Sequence, residues 1–191
     1  MRLLCFGDSN TYGYDPRSYF GSRYDAQNRW VDLLASKTGW EVINAGQNGR
    51  EIPRRTRELQ QFQQLLNLAG SVDALFIMLG DNDLLQGASV ESVTARMEVF
   101  LTQLPSTCGK IVLVSPPPLK PGTWISDPQT LDDVRSLSSC YQNLAKRFGI
   151  HFISTLDWNL ELTFDGVHFS ERDHALFAEN LFTALKECSI L

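Results

Sequence analysis

The run Ala74-Leu75-Phe76-Ile77-Met78-Leu79 is the most apolar in the chain and shows no alternation of polar and apolar residues. A strand with one wet face would alternate, so this one is expected to be covered on both faces. That narrows the fold sharply. A sheet buried on both sides needs helices above and below it, with parallel strands joined by helical crossovers. The rest of the chain supplies the parts. Residues 2–6, 41–44, 111–114 and 150–153 read as four more short strands. Helical periodicity stands between them. Trp30, Leu33 and Leu34 share one face before a stop near Gly39, and a helix from about Pro53 carries Leu59, Phe62, Leu65, Leu66 and Ala69 before Gly70. Val90, Val93, Met97, Leu101 and Leu104 mark a helix from about Ser89. Asp127-Pro128 reads as an N-cap and first-turn proline ahead of Leu131, Val134, Leu137, Tyr141, Leu144 and Phe148. Ser170 and Asp173 form a capping box for a last helix to about Glu187. The expectation is a single domain over residues 1–191. It would be a three-layer α/β/α sandwich with a five-stranded parallel sheet in the flavodoxin-like order 2-1-3-4-5.

Composition removes several classes of function. A net charge of −5 argues against nucleic acid as a partner, since phosphate binding wants a basic face. Arg50, Arg54, Arg55 and Arg57 form the one basic cluster, which a solvated helix face or an interface explains. No stretch reaches transmembrane length and the N-terminal apolar run is too short for a signal peptide, so a cytoplasmic protein without a membrane partner is expected. Cys5, Cys108, Cys140 and Cys188 are scattered, with no metal-ligand or disulfide spacing, and read as free thiols in a reducing compartment.

In a sheet of this order, ligands bind beyond the carboxyl ends of the strands, at the switch point between strands 1 and 3. Ser9 follows strand 1 in Phe6-Gly7-Asp8-Ser9-Asn10-Thr11, Gly46 follows strand 2, Asn82 follows strand 3, and Asp165-Gly166-Val167-His168 follows strand 5. Gly-Asp-Ser alone is ordinary turn chemistry. With a His and a carboxylate at the same edge it becomes a candidate nucleophile, with His168 as base and Asp165 orienting the ring. His151 and His174 fall within a strand and a helix and read as structural or surface groups. The Ser9 and Gly46 N–H groups and the Asn82 amide are the candidate donors to an oxyanion. Asp8, Asp81 and Asp83 raise a rival, a Mg²⁺-binding phospho-acceptor site. That site wants a Lys after strand 5, where the chain reads Ser154-Thr155-Leu156-Asp157. Structural caps explain these aspartates better. A long aromatic segment, residues 11–28, reads as a loop lining a site or an interface.

Gly7-Asp8-Ser9, Asn44-Ala45-Gly46, Gly80-Asp81-Asn82-Asp83 and Asp165-Gly166-Val167-His168, in that order, resemble the four sequence blocks of the SGNH (GDSL-type) hydrolases. The runs Ile77-Met78-Leu79-Gly80 and Val114-Ser115-Pro116-Pro117-Pro118-Leu119 resemble the bacterial arylesterase and acyltransferase branch. The resemblance implies a serine esterase with Ser9, His168 and Asp165 as its triad and Ser9, Gly46 and Asn82 as its oxyanion hole. It implies no metal or organic cofactor, a small-molecule ester of short acyl chain as substrate, and a homo-oligomer. Carbohydrate O-acetyl esters, thioesters and lysophospholipids stay open as substrates. The family's usual Leu after the nucleophile is Asn10 here, which puts substrate preference in question. Asn10, Tyr12 and Trp124 are the candidate substrate-binding residues. A small-molecule binding protein on the same sheet is the non-enzyme alternative.

Overall fold

Every side chain of the strand Ala74–Met78 is buried, as its unbroken apolar run requires. In the computed structural model, which describes residues 1–106, 108–188 and 190, this strand is third in a sheet of five. In chain order the elements are β1 (Arg2–Gly7), α1 (Ser9–Tyr12), a 3₁₀ turn (Ala26–Asn28), α2 (Trp30–Thr38), β2 (Glu41–Gly46), α3 (Thr56–Ala69) and β3 (Ala74–Met78). There follow α4 (Asp81–Leu85), α5 (Val90–Thr102), β4 (Lys110–Val114), α6 (Gln129–Phe148), β5 (His151–Ile153) and α7 (Glu171–Glu187). The sheet order is β2-β1-β3-β4-β5 and every pairing is parallel. This is the expected order and three-layer architecture.

Because side chains alternate along a strand, the apolar run feeds two cores at once. Leu75 and Ile77 join Leu4, Phe6 and Leu113 against Phe62 and Leu66 of α3, Met97 and Phe100 of α5, and Val134 and Tyr141 of α6. Ala74, Phe76 and Met78 join Leu3, Cys5 and Val112 against Trp30 and Leu34 of α2 and Phe177 and Leu181 of α7. Fully burying a side chain of Leu or Phe size contributes roughly 1.5–3 kcal/mol. Such residues on both faces hold β1 and β3 in fixed register, Phe6 opposite Ile77 and Gly7 opposite Met78. The carboxyl ends of the two central strands therefore end level with one another.

The structure departs from expectation at element ends. Residues 11–28 do not begin as a loop, because α1 starts directly after β1 with Asp8 as its N-cap. Asn82, directly after β3, lies on the short helix α4. The helix expected from Pro53 begins at Thr56, where Glu58 reaches back to accept from the Arg54 and Arg55 N–H groups at 3.0 Å each. Pro128 is the N-cap of α6 and not its first residue, and Asp127 Oδ1 accepts from the Gln129 N–H at 2.9 Å. The capping box of Ser170 and Asp173 forms as read. Among the described residues no helix is long and apolar enough to cross a membrane.

His174, on α7, is fully buried among Tyr24 and Phe169, and its Nε2 has no hydrogen-bond partner among the described residues. Burial pushes its pKa down to about 3, against the opposing pull of Asp173. An imidazole with a depressed folded-state pKa stabilises the fold above the unfolded value near 6.5, and that contribution is lost as pH falls toward the folded value. Stability is expected to fall by about 1.4 kcal/mol per pH unit below about pH 6. Urea midpoints at pH 7.5 and 5 check it: the shift should shrink in His174→Phe, and an equal shift in both proteins would remove His174 as its source.

Candidate active site

Asp8 sets the geometry at the end of β1. Its carboxylate accepts from the Asn10 N–H at 2.8 Å and also from the Thr11 N–H. These are the second and third amides of α1, so the first, on Ser9, is left without a partner among the described residues. Burial, and then the neighbouring Asp81, push the Asp8 carboxyl well above its usual range. Asp83 faces elsewhere. It accepts from the Ile52 N–H at 2.9 Å and from Arg96 at 2.7 Å, tying the segment after β2 to α4 and α5. Asp81 Oδ1 accepts from the Asn82 N–H at 2.9 Å. Among the described residues no group of three or more His, Cys, Asp or Glu side chains could hold a metal ion.

Ser9 is 6% exposed, and its Oγ lies 3.0 Å from His168 Nε2. His168 Nδ1 lies 2.7 Å from Asp165 Oδ2. A carboxylate only accepts, so Nδ1 carries a proton, and in the neutral ring Nε2 is the nitrogen able to accept from the Ser9 hydroxyl. Asp165 is fixed in turn. Its Oδ1 accepts from Thr163 Oγ1 at 2.8 Å and from the Val167 and His168 N–H groups at 2.9 Å. Burial works against its charge, but the hydrogen bonds from the His168 ring and the two amides outweigh it and hold the carboxyl well below the usual range. Ser9, Asp165 and His168 are therefore brought together as the spacing predicts.

Gly46 is not. Its N–H donates to Asn44 Oδ1 at 2.9 Å, and a Cβ at this position would lie 2.1 Å from the Tyr12 nitrogen. Gly46 is glycine because α1 packs against it, and its amide is engaged away from Ser9. The glycine at the site is Gly49. It has φ +67, a conformation that favours glycine, with open space where a Cβ would stand. Its N–H has no partner among the described residues. Arg50 holds this turn in place by donating to the Ala45 carbonyl, to the Gly7 carbonyl at 2.7 Å and to Gln47 Oε1 at 3.0 Å. Burial lowers the Arg50 pKa to about 10. Asn82 donates one Nδ2 hydrogen to the Arg50 carbonyl at 3.2 Å, and the other has no partner among the described residues.

These groups line a cavity of about 240 Å³ with Ser9, Asn48, Gly49, Asn82 and His168 on its wall and Tyr14 and Trp124 over it. The Tyr14 and Trp124 rings stand 4.7 and 4.8 Å from the imidazole. Of the three expected substrate-binding residues only Trp124 is there. Tyr12 instead packs against the Arg23 guanidinium, 4.5 Å from its ring. Asn10 is 3% exposed, with its side-chain amide donating to the Val167 carbonyl and accepting from the Phe169 N–H. Tyr14 takes the place expected of Tyr12. Elsewhere in residues 11–28, Tyr24 is buried while Tyr19 and Phe20 are 94% and 90% exposed.

A family model described as the GDSL-like lipase/acylhydrolase family matches residues 5–176. The chain belongs to that family. No curated protein matches this acylhydrolase-family chain. Among solved structures it is similar to an aryl esterase of M. smegmatis, at 25% identity over 100% of this chain and 99% of the other, with a TM-score of 0.79. A carbohydrate acetylesterase from Sinorhizobium meliloti matches at 25% identity and a TM-score of 0.79, covering 100% of both chains. A carbohydrate acetylesterase family member from the same organism, 22% identical with full coverage of both chains and a TM-score of 0.84, shares the fold. Membership makes acyl-ester hydrolysis the chemistry expected of this acylhydrolase fold.

Proposed function

We propose that the protein is a serine esterase that hydrolyses small carboxylic esters through an acyl-enzyme on Ser9. The observation that carries this reading is the relay from Ser9 Oγ through His168 to Asp165, opening into a cavity of about 240 Å³. His168 takes the Ser9 proton as Oγ attacks the ester carbonyl, and Asp165 stabilises the imidazolium. The carbonyl oxygen, now negative, is received by the unpartnered Ser9 and Gly49 N–H groups and the second Asn82 amide hydrogen. His168 then gives its proton to the leaving alcohol, takes one from the water that attacks the acyl group, and returns it to Ser9 Oγ as the acyl–Oγ bond breaks and the acid leaves. The four free cysteines suit a reducing compartment such as the cytoplasm.

The cavity is smaller than the roughly 300–1,000 Å³ typical of sites for drug-sized ligands, which favours a short acyl group. In a p-nitrophenyl ester series, kcat/KM is expected to peak between acetyl and butyryl and to fall roughly tenfold or more by octanoyl. A peak at octanoyl or beyond would reject the short-acyl reading. A neighbouring cleft of about 270 Å³ shares Gly49 with the cavity and carries Gln47, Arg50, Glu51, Glu58 and Gln61 beside Phe6 and Phe62. That mixture of donors, acceptors and an apolar face favours a hydroxyl-rich leaving group, in keeping with the similarity to a carbohydrate acetylesterase.

A further inference from the structure

We infer that Asn10 is a positioning residue for His168: one buried side-chain amide grips the peptide units on both sides of the imidazole. Asn10 Nδ2 donates to the Val167 carbonyl at 3.0 Å, and Asn10 Oδ1 accepts from the Phe169 N–H at 2.9 Å. The Asn10 carbonyl accepts from Trp30 Nε1 at 3.0 Å, which anchors the grip to α2. Val167, Phe169, Trp30 and Asn10 are all buried, so no bulk water competes for these bonds.

Ser9 and His168 are 159 positions apart in sequence. Without a direct tie, the distance between Oγ and Nε2 would depend on how the long segment before α7 settles against β1. Asn10 makes it a local matter, because the residue next to the nucleophile holds the residues next to the base. Asp165 acts on the ring and on the amides of Val167 and His168. Asn10 acts on the Val167 carbonyl and the Phe169 amide, which Asp165 does not reach. The two side chains together fix the backbone through His168 on both sides, and each needs the other for the ring to point at Ser9. Leucine has nearly the shape of asparagine but neither donates nor accepts. It would leave the Val167 carbonyl and Phe169 N–H buried and unpaired and free this backbone to shift. Small misplacements of a catalytic group cost rate out of proportion to their size.

The inference rests on the catalytic reading of Ser9 and His168, and a mutant cycle separates the two. Steady-state hydrolysis of p-nitrophenyl acetate is measured for wild type, Asn10→Leu, His168→Ala and the double mutant. Asn10→Leu is expected to lower kcat by roughly 10- to 100-fold with KM within about twofold. In the His168→Ala background the same change should lower the residual rate by less than about twofold, since no imidazole remains to be positioned. An equal loss in both backgrounds would mean that Asn10 supports the fold or the oxyanion donors and not the base. If His168→Ala is as active as wild type, the catalytic reading itself fails. If His168→Ala is inactive while a folded Asn10→Leu stays within threefold of wild type, the inference about Asn10 fails alone. Should Asn10→Leu not fold, Asn10→Ala replaces it: the smaller side chain makes neither bond and adds no charge beside the imidazole. The same loss confined to the His168 background is required of it.

Discussion

Ser9→Ala is expected to hydrolyse p-nitrophenyl acetate at pH 8 roughly 10³-fold or more slowly than wild type, with its thermal midpoint unchanged. The two halves of this expectation come from the same geometry. Ser9 Oγ has one partner among the described residues, His168 Nε2 at 3.0 Å, so its removal strips no cap and leaves no buried backbone group unpaired. The nucleophile is lost, but the imidazole, the Ser9 and Gly49 amides and the Asn82 side chain stay. They can still activate and orient a water molecule, which is why some residual rate above the uncatalysed reaction should persist. An organophosphonate should label wild type stoichiometrically and the mutant not at all. Equal rates in the two proteins would remove Ser9 as nucleophile and, with it, the roles of His168 and Asp165. Absence of labelling in both would favour a binding protein on this sheet.

What the sequence made legible were features whose cause is local. Ala74–Met78 announces a strand buried on both faces because its composition alone excludes a wet side. Ser9 could be read because it directly follows β1, and Asp165 and His168 because they lie in the one segment between β5 and the last helix, after strands whose direction the parallel sheet fixes. The errors fall where one loop folds back on another. Asn44-Ala45-Gly46 and Asn48-Gly49 offer two glycines after β2, and spacing gives no ground for choosing between them. Arg50 bonds the carbonyls of Gly7 and Ala45 beside this turn, and Gly49, not Gly46, lines the cavity with Ser9. Asn48-Gly49, a dipeptide suited to positive φ, was the signal that pointed there. Tyr12 and Tyr14 differ by two positions and only Tyr14 faces the imidazole, because Tyr12 ends α1 and meets Arg23. Asn10 next to the nucleophile suggested a substrate contact. Its two partners lie more than 150 positions away and belong to the fold, not to any local pattern.

Asp165→Asn should leave the fold intact and lower kcat by about 10⁴. Asp165 does two separable jobs. Oδ1 accepts from Thr163 Oγ1 and from the Val167 and His168 amides, which shapes the turn. Oδ2 accepts from His168 Nδ1 at 2.7 Å, which sets the tautomer. Asparagine keeps the first job with its own oxygen. In place of Oδ2 it presents an N–H₂ group to Nδ1, so the imidazole must carry its proton on Nε2. That nitrogen then cannot accept from Ser9, and the base is disabled although every atom remains near its place. Asp165→Ala is the contrasting control. It leaves the Val167 and His168 amides unpaired in a buried turn, so it should lose stability as well as rate. Because the Asp165 carboxyl is held well below the usual range, it stays ionised wherever the protein is folded and active. A folded Asp165→Asn protein retaining more than about a tenth of wild-type kcat would show that His168 does not depend on this carboxylate for its tautomer.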